Sequence, residues 1–205
     1  TTTYTYDIEN QLIGVTAPGL TVTYRYDGLG RRIEKTVNGT RQRFLYDQED
    51  LVTILDGADC ATHVVLQGPG IDQPVAFLQD TNANCDPFTD AAGFREPIRY
   101  LQTDGLGSST SLVAETHGFF RALIPSERYT YDSFGTPTIT GPGPDGQMDT
   151  GDDVTLTESA YGNPYLFTGR EYDPETGLYY YRRGTTTRGR GGSYSQIPSS
   201  SRTDT

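Results

Sequence analysis

Tyr24-Arg25-Tyr26-Asp27-Gly28-Leu29-Gly30-Arg31-Arg32-Ile33 has a counterpart on either side: Tyr4-Thr5-Tyr6-Asp7 with Ile13 beyond it, and Phe44-Leu45-Tyr46-Asp47 with Thr53. The three align without gaps, and their aspartates recur every 20 residues. Two more copies, Tyr129-Thr130-Tyr131-Asp132 and Glu171-Tyr172-Asp173-Pro174, lie downstream. Side chains alternate along a strand, so both rings of Tyr-x-Tyr face one way and each copy adds an aromatic pair to a single layer. The Asp that follows can accept backbone N–H bonds and begin a turn, which Gly28 and Gly30 are expected to carry through positive φ. Strand, turn and returning strand make a hairpin. One hairpin cannot bury both of its faces, so such units are stable only when stacked on neighbours.

Other turn signals agree with this reading. Asn38-Gly39 separates Ile33–Val37 from Thr40–Leu45, the strongest short-range signal for a two-residue primed turn, and Asp56-Gly57 divides 51–55 from 62–66 in the same manner. The composition points the same way: 34% hydrophobic residues, 24 Gly and 12 Pro, with 15 Tyr and 8 Phe but no Trp, suits many short strands joined by turns. The expected fold is therefore all-β and antiparallel. Strands are predicted near 3–6, 23–26, 33–37, 40–46, 51–55, 62–66, 75–78, 98–102, 110–113, 128–131 and 178–182, with almost no helix. Residues 79–96 and 141–153, rich in Asp, Asn, Gly and Pro, read as long loops. With stacking neighbours missing at both ends, the isolated chain is expected to be marginal and to pair through its open edges.

The net charge of -11 disfavours nucleic acid and anionic lipid as partners, because both need a basic face to displace counterions. No apolar run approaches the ~20 residues that span a bilayer, so direct membrane insertion is not expected. The first residues, Thr1-Thr2-Thr3, are neither an initiator Met nor a signal peptide, so an export signal is expected upstream.

Taken with the repeats, two longer segments resemble the Rhs/YD-repeat family of bacterial surface and toxin proteins, with animal teneurins as distant relatives. One is Tyr100-Leu101-Gln102-Thr103-Asp104-Gly105-Leu106-Gly107-Ser108; the other is Phe167-Thr168-Gly169-Arg170-Glu171-Tyr172-Asp173-Pro174-Glu175-Thr176-Gly177-Leu178-Tyr179-Tyr180-Tyr181-Arg182, which is similar to the opening of the Rhs-associated core. The resemblance covers residues 1–183. It implies a β-sheet ribbon wound into part of a spiral YD/Rhs shell, whose function is to encapsulate and present a C-terminal toxin or effector for secretion. The implied partners are the rest of the shell and that cargo, and the implied location is secreted or on the bacterial cell surface. Family members that cut themselves do so with residues beyond this chain, so no catalytic residue carries over and no enzyme activity or cofactor is expected. A cell-surface adhesion or carbohydrate-binding module is the alternative, since exposed Tyr faces can stack on sugar rings.

Few residues suggest chemistry. His63 and His117 stand near no nucleophile motif. Setting Gly146 at the sixth position of a calcium loop places Asp145, Asp149 and Asp152 at the fifth, ninth and twelfth, all oxygen donors. The first and third positions fall on Gly141 and Gly143, which offer no side-chain ligand, so a solvated acidic turn is the simpler reading. Asn38-Gly39-Thr40 fits a glycosylation acceptor, but the tight hairpin already explains it. Cys60 and Cys85 fall in turns on the same rim if strands 51–55, 62–66 and 75–78 alternate in direction. They form a disulfide if the protein is exported, and two free thiols in loops otherwise.

After Arg183 the resemblance stops, and residues 184–205 turn to Gly, Thr, Ser and Arg, a composition expected to be disordered. Regrouping the codons from Gly184 by one base permits Tyr-Tyr-Asp-Pro-Arg-Thr-Gly-Arg-Phe-Leu-Gln-Pro-Asp-Pro, a family-like continuation of the core. One deleted base would therefore account for the tail, and the codons of residues 184–198 test this directly.

Overall fold

The computed structural model describes residues 1–70, 73–89, 97–115 and 123–181, and the backbone of 185–186. Among them, thirteen strands form one antiparallel sheet whose order in space is their order in sequence. They are β1 (Thr3–Tyr6), β2 (Leu12–Ala17), β3 (Leu20–Tyr26), β4 (Arg32–Val37), β5 (Thr40–Asp47), β6 (Asp50–Leu55), β7 (Ala61–Gln67), β8 (Pro74–Gln79), β9 (Arg99–Thr103), β10 (Ser109–Glu115), β11 (Leu123–Tyr131), β12 (Pro137–Gly141) and β13 (Val154–Leu156). A second sheet holds β14 (Glu171–Asp173), β15 (Leu178–Tyr180) and β16 (Thr185–Thr186).

Three of the five Tyr-Asp copies, at Asp7, Asp27 and Asp132, share one turn with two aspartates outside the copies, Asp56 and Asp104. Asp47 instead pairs with Asp50 across a two-residue hairpin, and the Asp173 carboxylate is turned to Arg32 and Lys35. At Asp7, Asp27, Asp56, Asp104 and Asp132 the carboxylate Oδ1 accepts N–H bonds from the residues two and four positions on, at 2.8–3.0 Å. The residue three positions on has positive φ in every case: Asn10, Gly30, Asp59, Gly107 and Gly135. This corrects two expectations. Gly28 does not need positive φ, and the turn after Asp56 bends at Asp59 rather than Gly57. Gly30, at φ 81°, carries the left-handed conformation alone in its turn. Gly30→Ala is therefore expected to cost about 1–2 kcal/mol in denaturant unfolding. Gly28→Ala, whose added Cβ meets nothing within 4 Å, is expected to be close to neutral. Equal effects of the two would show that the turn is read wrongly.

The short junctions are two-residue hairpins. Asn38 (φ 48°) and Gly39 (φ 89°) join the pair Val37↔Thr40, as a primed turn requires. Five strands lie where none was expected: β2, β12, β13, β14 and β16. Gly14 in β2 and Pro137 at the start of β12 hide the alternation there, and β14 is too short to show one. The loop at 141–153 is an excursion between paired strands, since Gly141 pairs with Val154. The expected strand at 178–182 ends at Tyr180. Of the loop expected at 79–96, Gln79 closes β8 and residues 90–96 lie outside the described set, as does His117. The expectations for 184–205 also fall outside it, except that the backbone of Thr185–Thr186 pairs with Tyr180 and Tyr179.

The sheet cannot be flat. Tyr179 and Tyr180 are neighbours on β15, yet their hydroxyls donate to the carbonyls of Gly135 (2.9 Å) and Gly30 (3.1 Å). Those glycines sit in the β11–β12 and β3–β4 turns, eight strand positions apart. On a flat sheet that separation is ~38 Å. Adjacent Cα atoms are ~3.8 Å apart, so two side chains reach both turns only because the sheet curls around them. Residues 163–181 therefore lie across the concave face as a brace. Leu178 joins the cluster of Leu12, Val15, Val22 and Tyr24, while Tyr179 joins that of Phe44, Ile54, Phe77, Leu112 and Ile139.

Candidate functional site

The brace is the most chemically elaborate part of the molecule. Its first section is pinned to the turn after Asp104. Ser109 N donates to Leu166 O at 3.0 Å, Ser109 Oγ donates to Tyr165 O at 2.7 Å, and Thr168 N donates to Ser108 Oγ at 3.1 Å. Glu127, fully buried on β11, fixes the approach to it. Its carboxylate accepts from Tyr129 Oη (2.5 Å), Ser159 Oγ (2.7 Å) and Ala160 N (2.6 Å), although burial still raises its pKa above the ordinary value.

The second section is held by charge. Arg32, 3% exposed, sends Nη1 to Asp173 Oδ2 at 2.5 Å and Nη2 to Glu171 Oε2 at 2.8 Å. Lys35 Nζ reaches Asp173 Oδ1 at 2.9 Å and Glu175 Oε1 at 3.0 Å. The Arg32 guanidinium also lies 5.0 Å from the Phe44 ring centre and 4.7 Å from that of Tyr180, which favours a desolvated cation. Two cations thus meet three carboxylates in a water-poor setting. Burial pushes the Asp173 carboxyl up, but Arg32 and Lys35 more than reverse this and hold it below its ordinary value. Glu171 is also raised by burial. With Arg32 as its close cation and Asp173 beside it, its carboxyl stays above the usual range.

Sequence reading passed over this cluster because Arg32 and Lys35, three residues apart on a strand, should face opposite ways. A β-bulge between Arg25 and Tyr26 removes the difficulty. Lys35 pairs with Tyr24 and Arg32 with Tyr26, so both cations share the face of the two rings. The signal was present in the Tyr-x-Tyr partner register but needed the bulge to be legible.

The residues singled out from sequence lie elsewhere. Cys60 and Cys85 are joined by a disulfide, with Cα atoms 4.7 Å apart. Asp145 Oδ1 accepts from Gln147 N (2.8 Å), and Asp152 Oδ2 from Asp145 N (3.3 Å). Asp149 turns outward to Arg128 at 2.5 Å. The three carboxylates thus serve the turn and a surface ion pair, and among the described residues no group of three His, Cys, Asp or Glu is arranged to hold a metal. His63 Nε2 lies 3.2 Å from Tyr161 O and Nδ1 lies 3.0 Å from Thr62 Oγ1, and burial lowers its pKa. Ser159 Oγ, the hydroxyl beside Glu127, also accepts N–H bonds from Tyr161 and Asn163, so it is committed to structure. The arrangement is suited to holding backbone in place.

Comparison with known proteins agrees with the geometry. Residues 6–42 match the family model described as RHS Repeat. The chain is 29% identical over 186 residues to the tRNA3(Ser)-specific nuclease WapA of Bacillus spizizenii and to the tRNA nuclease WapA of Bacillus subtilis, covering 87% of this chain and 6% of each relative. The chain therefore spans a small fraction of those proteins. In fold it is similar to the crystal structures of TcdB2-TccC3-Cdc42 (TM-score 0.56, 17% identity) and TcdB2-TccC3 (TM-score 0.55, 18% identity), covering 90% of this chain and 8% of each structure's chain.

Proposed function

We propose, from the premise that this is an RHS-repeat chain folded as a fragment of a YD shell, that it acts as a length of wall and not as a catalyst. In this reading the wall encapsulates and presents a C-terminal toxin or effector for secretion. The observation that carries the proposal is the curl: a thirteen-strand meander bent around a brace that joins turns eight strand positions apart. A bent sheet whose free faces and edges are met by further repeats encloses space. The matched relatives are named as nucleases, which supports a toxic cargo elsewhere in such proteins. The Cys60–Cys85 disulfide supports a secreted or cell-surface location, because such bonds persist in oxidising compartments.

The adhesion or sugar-binding alternative needs exposed ring faces. Tyr24 and Tyr129 are 4% and 3% exposed, and the hydroxyls of Tyr26, Tyr46 and Tyr131 donate to backbone carbonyls, which favours the wall. The test is limited proteolysis of the natural protein that carries this chain with its C-terminal region. That region should resist cleavage in the native protein and be cut once Arg32→Ala loosens the brace. Equal cleavage in both would overturn the encapsulation reading.

A further inference from the structure

The Tyr-Asp repeats share a tertiary hydrogen bond that no turn or strand rule requires. Tyr26 Oη donates to Leu12 O (2.8 Å), Tyr46 Oη to Arg32 O (2.9 Å) and Tyr131 Oη to Ser109 O (2.7 Å). Three regularities hold in all three cases. The acceptor lies on the strand preceding the tyrosine's own in sheet order: β2 for β3, β4 for β5, β10 for β11. It comes five residues after the Asp of the earlier turn, as Leu12 follows Asp7, Arg32 follows Asp27 and Ser109 follows Asp104. Extending the ladders Gly14↔Thr23, Glu34↔Arg43 and Ser111↔Arg128 places the acceptor opposite the residue before the tyrosine.

Tyr6 is the same residue of the repeat on β1. Its Oη is buried and has no hydrogen-bond partner among the described residues. The strand it would address lies across the outer edge of β1, and among the described residues nothing pairs there. A buried hydroxyl without a partner is costly, whereas the same group in the other copies is satisfied by a carbonyl.

We infer that the β1 edge is a docking strand for one kind of occupant, the returning strand of another Asp-turn hairpin of this repeat. That strand pairs antiparallel with Thr3–Tyr6 and gives Tyr6 Oη the backbone carbonyl of the residue opposite Thr5, five positions after its own turn Asp. The inference rests on the wall reading above and adds to it a rule of register: the tyrosine hydroxyl checks that each hairpin has joined its predecessor in phase. A slip of one residue would turn the acceptor carbonyl to the other side of the strand.

The test places a tandem copy of residues 4–23 ahead of Tyr4, so that the copied Leu12 falls fourteen residues before Tyr6, as Leu12 itself falls before Tyr26. Tyr6→Phe is then made in the original and in the extended chain, with denaturant unfolding and amide exchange of β1 as readouts. The expected result is no loss, or a small gain, of stability in the original chain, and in the extended chain a rise in the unfolding equilibrium constant of about fivefold, matching Tyr26→Phe. Protected β1 amides with a silent Tyr6→Phe would overturn the hydroxyl rule and leave the wall reading standing. Unprotected β1 amides in the extended chain would overturn the docking strand and count against the wall as well. An equal loss from Tyr6→Phe in both chains would place its partner within the original chain and also overturn the inference.

Discussion

Arg32→Ala is expected to destabilise the chain by about 3–5 kcal/mol, the usual cost of removing one partner from a buried ion cluster. The loss comes mainly from what remains. Asp173 (2% exposed) and Glu171 (8%) would keep their charges in a dry site with Lys35 as the remaining close cation. Arg32→Lys should recover part of the loss, since an ammonium restores charge but cannot bridge two carboxylates with one planar fork. With no Trp in the chain, far-ultraviolet circular dichroism in urea is the suitable readout. A change below ~1 kcal/mol would put the pair in the class of exposed ion pairs and contradict the burial described.

The same cluster gives a pH dependence of defined sign. The Asp173 carboxyl is held below its ordinary value when folded, so its contribution is present above the unfolded pKa and is lost as pH falls through the folded one. Glu171 and Glu127 act oppositely: their raised values mean that the folded state binds the proton more tightly, so each contributes below its unfolded pKa and loses that contribution as pH rises through its folded value. Mild acidification is therefore expected to cost little, with the brace failing only below the ordinary Asp range, about pH 4. In Asp173→Asn the acid limb should shrink, what remains coming from carboxyls such as that of Asp27, which burial pushes up but hydrogen bonds from Arg31 and Leu29 hold below the ordinary value.

The repeat, the direction of the hairpins and the aromatic inner layer were readable because they rest on period-two alternation and on an Asp with a fixed hydrogen-bonding habit. Tyr24 and Tyr129 are buried where Tyr-x-Tyr places them, and Asn38-Gly39 turns as its dipeptide requires. What could not be read depends on register and long-range closure. Asp59 takes the positive φ that Gly57 was expected to supply, because the turn is set by bonds to Asp56 and not by the nearest glycine. Strand β14 reads in sequence as one more Tyr-Asp copy. Its flanking Glu171 and Asp173 leave the meander to face Arg32, some 140 residues away, an encounter that follows from the curl of the whole sheet and not from local pattern.

Reducing the disulfide is the second large expectation. Cys60 closes the five-residue turn of Asp56, donating its N–H to Asp56 Oδ1 at 3.0 Å. Cys85 sits in the loop after β8, donating its N–H to Asp80 Oδ2 at 2.8 Å, and Asp80 N in turn donates to Thr62 O at 2.8 Å. The β6–β7 and β8–β9 junctions lie on one rim because strand direction alternates between them, so the bond ties two turns that the sheet already brings together. Its effect therefore falls mainly on the unfolded chain, where it closes a loop spanning 25 positions. The chain-entropy model gives about 3–4 kcal/mol for a loop of this size, a large share of the 5–15 kcal/mol typical of a domain. Treatment with dithiothreitol, or the double change Cys60→Ser and Cys85→Ser, should lower the unfolding free energy by that amount, read as a fall in the urea midpoint, while leaving the native β spectrum in place. The single serine variants should lose as much as the double, because either one opens the loop. If thiol titration shows complete reduction and the midpoint does not move, the two turns are held by the Asp56 and Asp80 bonds alone, and the disulfide adds nothing to the wall.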